Sequence, residues 1–200
     1  YGTLANPNLQ LWSINDGKYV AQNNDWETSD SLCADSGYVC GTPSQITATD
    51  MDPCQPNPGQ TTEPPGCHDE SALLITLPPG RYTVTQRGVA NGTGLGIFEI
   101  FDPDTTTLPK LNNLSTRAVV QTGANALTGG FIIGAGTGNK TVLIRGRGPS
   151  LSGAPFNSYG TLANPNLQLW SINDGKYVAQ NNDWETSDSL CADSGYVCGT

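Results

Sequence analysis

A segment of 42 residues occurs twice in this chain without a single change. Residues 1–42, YGTLANPNLQLWSINDGKYVAQNNDWETSDSLCADSGYVCGT, return letter for letter as residues 159–200, which sets a period of 158 residues. Self-similarity at a fixed offset is the mark of a repeat architecture. Old duplications drift apart, so an unchanged copy points to an array of near-identical units. The chain is expected to be a window on such an array. Residues 1–102 then form the C-terminal part of one unit, 103–110 a connector, and 111–200 the N-terminal part of the next.

One period has the length of an ordinary domain. The chain carries 18 Asp and Glu against 9 Lys and Arg. The second copy of the repeat holds five of those acids and one of those bases, leaving thirteen and eight per period, a net charge of −5. A mildly acidic surface argues against nucleic acid and anionic membranes as partners. No apolar run approaches the roughly 20 residues of a membrane-spanning helix. The partners this leaves are copies of the chain itself, with glycans as a second class.

The six cysteines reduce to four per period: Cys33, Cys40, Cys54 and Cys67, with Cys191 and Cys198 repeating the first two. An even set within one loop-rich stretch reads as disulfides and an oxidising, extracellular or cell-surface setting. The gaps of seven, fourteen and thirteen residues do not have the short spacing of a zinc site. Neighbour pairing is expected, as Cys33–Cys40, Cys54–Cys67 and Cys191–Cys198. Nested pairing, as Cys33–Cys67 or Cys40–Cys54, is also geometrically open.

Strand patterns dominate. LQLWS at 9–13 alternates, Asn15-Asp16-Gly17 is a hairpin turn signal, and KYVAQN at 18–23 is its partner. SALLITL at 71–77 is apolar at most positions, as a central strand is. It turns through Pro78-Pro79-Gly80 into RYTVTQR, and Asn91-Gly92 turns again into GLGIFEIF at 94–101. Strands at 116–121, 130–133 and 141–145 bring the number to about eight per unit. Two regions break the pattern. The connector DPDTTTLPK, with two prolines, is stiff and extended. The stretch 26–69 has little periodicity and all four cysteines, and disulfides order such a loop without a core of its own.

In natural phase the unit runs LNNLSTRAVVQTGANALTGGFIIGAGTGNKTVLIRGRGPSL, LANPNLQLWS, VAQNNDW, ESALLITLPPGRYTVTQRGVANGTGLGIFEIFD. These residues resemble a repeat module of large secreted or surface proteins of environmental bacteria. The part from NPNLQLW to TGLGIFEI is also similar to β-sandwich domains of the bacterial pre-peptidase C-terminal type. The resemblance implies an all-β, Ig-like or jelly-roll sandwich and an extracellular accessory or structural role. Some such sandwiches hold calcium with Asp and Asn after the second strand. Asn24 and Asp25 stand there, but the remaining ligands have no counterpart.

The residues offer little chemistry. His68, the only histidine, lies in a loop beside Cys67 and Asp69, and no catalytic constellation surrounds it. GAGTGN at 134–139 and GTGLG at 92–96 precede no helix, so they read as turns and not as phosphate loops. The acidic residues around Asp50 and Asp52 lack an EF-hand pattern. No enzyme activity, cofactor or metal is expected. Asn91, Asn113 and Asn139 head candidate N-glycosylation sequons. Trp12, Tyr19, Trp26 and Tyr38 form a candidate sugar-stacking set, the weaker reading beside a place in the core.

The expectation is therefore a structural subunit of an extracellular bacterial fibre or stalk built from tandem sandwiches. An adhesin or carbohydrate-binding module is the alternative. The strand just past the connector, with Leu114, Thr116, Ala118 and Val120 on one face, is expected to add to the preceding module by β-augmentation.

Overall fold

The computed structural model describes residues 6–27, 29–37, 39–56, 60–103, 113–135, 138–152, 161–183 and 187–196. For 14–18, 29–37, 113, 170–178, 181–183 and 187–196 it describes the backbone alone. The protein is an all-β sandwich. Its strands are β1 (Pro7–Asp25), β2 (Ser29–Gly37), β3 (Val39–Cys40), β4 (Ser71–Leu77), β5 (Gly80–Gly88), β6 (Gly94–Phe101), β7 (Asn113–Val120), β8 (Leu127–Ile133), β9 (Lys140–Arg147), β10 (Pro165–Asp183) and β11 (Ser187–Tyr196). The described helix α1 (Pro43–Thr47) is a single turn. Its capping box pairs the Thr42 hydroxyl with the Gln45 N–H and the Gln45 side chain with the Thr42 N–H.

One sheet runs β3-β4-β9-β6-β7. The other holds β5 between β8 and the strands β1 and β10, and β2 pairs with β11 separately. Most links cross between the two main sheets. Pro78-Pro79 carries β4 of the first to β5 of the second, and Asn91-Gly92 carries β5 back to β6. These two turn signals thus make corners between layers, not hairpins.

β1 is folded on itself. Trp12 and Tyr19 are seven residues apart, about 23 Å in an extended strand. Their rings nonetheless meet edge to face at 5.1 Å. The Gln10 amide likewise donates to Gln22 at 3.1 Å. The chain therefore reverses at Asn15-Asp16-Gly17, as a hairpin.

The alternation of each strand supplies the core. Leu73, Ile75 and Leu77 of β4, Val142 and Ile144 of β9, and Phe98 and Ile100 of β6 face Leu9, Leu11, Tyr82, Val84 and Phe131 of the other sheet. Tyr82 and Phe131 stack at 5.4 Å, and the Tyr82 hydroxyl donates to the Pro78 carbonyl at 2.7 Å. At the hairpin's end, Asn23 accepts from the Ala72 N–H and the Trp26 N–H donates to Glu70, which ties the second sheet to the start of β4.

A second cluster lies on the outer face of the β4–β9 sheet. Trp26, Ile46, Cys54 and Cys67 pack there on Ala72 and Leu143, with Met51, Leu74 and Phe101 at the margin. The cysteine stretch is thus a third layer seated on the sheet. Arg145 of β9 fastens it: one guanidinium nitrogen donates to the Met51 carbonyl at 2.7 Å, the other pairs with Glu99 at 2.6 Å, and the group lies over the Phe101 ring.

Candidate functional site: one strand slot and two identical segments

A β-strand has two hydrogen-bonding edges, and each ladder position accepts one partner. β8 takes one edge of β5, from Gly80 opposite Ile133 to Gln86 opposite Leu127. On the other edge lies the first arm of β1, from Pro7 opposite Gly88 to Ser13 opposite Tyr82. β10 meets that same edge in the same register, with Pro165 opposite Gly88, Asn166 opposite Arg87 and Ser171 opposite Tyr82. β1 and β10 have identical sequences, and each residue lies beside its counterpart, from Leu9 with Leu167 to Asp25 with Asp183. β1 and β10 therefore address the same edge of β5 in one register.

The side chains carry the same duplication. Leu9 and Leu11, and equally Leu167 and Leu169, are each 0 % exposed in the same core. The glutamines interchange: Gln22 accepts from Gln10 or from Gln168, and Gln180 accepts from Gln168 or from Gln10. The Tyr19 hydroxyl is shared in the same way between Gln22 and Gln180. Arg87 stands opposite both Asn8 and Asn166, donating to Gln10 at 3.1 Å and to the Gly123 carbonyl at 2.8 Å. Burial lowers its pKa.

The approach to the slot is built around Glu70. It is fully buried, and its two oxygens accept from the backbone N–H of Gly148 at 2.5 Å and of Ser150 at 2.7 Å. Burial pushes its pKa up to about 8, against the opposing pull of Arg147 and these hydrogen bonds. Leu151 is buried beyond it, Thr161 bridges to Leu95, and the Leu162 N–H donates to the Leu95 carbonyl at 2.5 Å. Both described ends of the stretch that leads into β10 are therefore docked on the sandwich.

A polar cleft of about 420 Å³ opens in the cysteine layer, between Trp26, Asp52, Cys54, Gln55, Glu63 and His68. His68 bonds to Glu27, lies 3.5 Å from Glu63 and stacks on Trp26, whose indole N–H donates to the Cys67 carbonyl at 2.6 Å. Desolvation by burial raises the pKa of Glu27 and of Asp52. Cys54, Glu63, Cys67 and His68 bring four ligand atoms within 4.8 Å of one another, but the sulfurs of Cys54 and Cys67 are bonded to each other. A disulfide supplies no thiolate for a metal. His68 here ties the strand end at Glu27 to the loop at Glu63. Trp26 is 3 % exposed, which places it in the core and not on an open sugar platform.

Of the expected disulfides, Cys54–Cys67 is present. Cys40 is also disulfide-bonded, and its partner lies outside the described side chains. The Cys54–Cys67 bond excludes both nested alternatives. The side chains of Cys33 and Cys191, and all of Cys198, lie outside the described residues, as do Tyr38 and most of the connector. In β7, Val120 is buried, Thr116 and Ala118 are half-buried, and Leu114 is 38 % exposed. β7 pairs with β6, Phe101 opposite Asn113, and forms the edge of its sheet. Asn91 and Asn139 are exposed at corners, while the Asn113 side chain lies outside the described residues. Asp25 uses its carboxylate on the Glu27 N–H. Compared with protein-family models, with curated proteins and with solved structures, the chain finds no match.

Proposed function

We propose that the chain is a piece of a structural subunit of an extracellular fibre or stalk, built from tandem sandwiches that share strands with their neighbours. The observation that carries this reading is the slot on β5, which the same segment from either end of the period fits in one register. A rod propagates only when each interface repeats the last, and identical copies meet that condition. The disulfide-stapled layer suits an oxidising compartment, and the edge position of β7 leaves backbone groups for a neighbour. The adhesin reading draws on the polar cleft beside His68, which is of a size to take a small ligand.

Small-angle scattering from a protein with several consecutive periods tests the fibre. The expected profile is that of a stiff rod lengthening by a constant increment per unit. A profile of independent beads on a flexible string contradicts it.

A further inference from the structure

We propose that the β5 slot of one unit takes either its own segment or the segment of the next unit, so that adjacent units are joined by strand exchange. This rests on the tandem-module reading for its setting but not for its test. β5, β8 and the strands of the facing sheet from β4 to β9 occur once here, while the segment that fills the slot occurs twice. Residues 7–25 reach the slot from the unit that also supplies β4, β5 and β6. Residues 165–183 reach it from the far side of the connector.

The two segments meet the slot in one register, β1 at seven positions and β10 at three of the same. Sequence and register are the same, and Leu9, Leu11, Leu167 and Leu169 all belong to the one core. Both segments are also tethered to the module they fill. Residues 7–25 run on through β3, which pairs with β4. Residues 165–183 follow β9 by way of the docking at Glu70 and Leu95. Tethering gives each a high effective concentration at the slot, so neither is a distant competitor. The unseated copy carries the same apolar face into solvent, which makes it a donor for the next vacant slot. The recognised partner is thus chemically defined: an alternating Leu-x-Leu strand of this chain, continued as a hairpin.

Disulfide trapping in the 200-residue chain reads the occupant directly. With N8C, R87C and N166C together, the cysteine on β5 meets a candidate partner from each copy. Digestion after Lys and Arg separates the partners by mass, because residues 1–18 and 148–176 differ in length. The expected result is both linkages, R87C–N8C and R87C–N166C, each a substantial fraction. Linkage to N8C alone, or no linkage at all, overturns the proposal.

A second measurement needs no added cysteine. L11D or L169D bars one copy from the core, and the other copy takes the slot. Each single variant should keep a cooperative unfolding transition and the double variant should lose it. If L11D alone unfolds the chain as fully as the pair does, exchange is wrong. The fibre reading fails separately, on the scattering profile, whatever linkages form.

Discussion

At the residue scale, Glu70 and Arg145 hold the layers together, and each gives a distinct response. The folded state binds the Glu70 proton more tightly than the unfolded chain does, because its folded pKa is raised from 4.5 to about 8. Its stabilising contribution is complete below pH 4.5 and is lost as pH rises through about 8. Glu27, Asp52 and Asp69 are shifted in the same direction by burial, so they add to the same trend. The chain should melt at a higher temperature at pH 5 than at pH 8.5, and Glu70→Gln should flatten that dependence. An unchanged pH profile in the variant would show that Glu70 does not carry it.

At the element scale, the cysteine layer depends on one cation. Removing one member of the largely buried Arg145–Glu99 pair leaves its partner uncompensated, at a cost of about 3 kcal/mol. Arg145→Ala also withdraws the hydrogen bonds to the Met51 and Asp52 carbonyls. It should lower stability by that amount in denaturant titrations and speed proteolysis within residues 41–69. Unaltered proteolysis would mean that the Trp26–Ile46–Leu143 packing holds the layer alone.

Much of this scale was legible in the sequence. Period-two alternation marked β5 and β6, apolar runs marked β4 and β9, and Asn-Asp-Gly marked the hairpin within β1. The seating of the cysteine stretch was not foreseen, although its trace was present. SALLITL and TVLIR are apolar at successive positions, which means both faces are covered. One face is the core between the sheets, and the other lies under Ile46, Cys54 and Trp26. Glu70 and Arg145 were illegible because no local pattern distinguishes a buried charge from a solvated one. The slot was half legible: the repeat announced two equal segments, but only the pairing with β5 shows that they share one place.

At the scale of the whole molecule, the fold closes a circuit. β6 ends opposite the start of β7, and β9 leads through Glu70 and Leu95 into the segment that lies against β5. In the proposed array, one of these two routes passes to the neighbour at every junction, and a shared slot would make that passage a contact between units. β5, at the centre of its sheet, spans nine residues, roughly 30 Å at 3.3 Å each. With its corners, a module should advance the array by roughly 35 Å. Electron microscopy of the intact array measures this spacing directly. The expected image is a continuous, unbranched rod in which sandwich density repeats at that constant interval and a strand crosses from each unit to the next. Separate globules at variable spacing, each with its slot filled only from within, would contradict it.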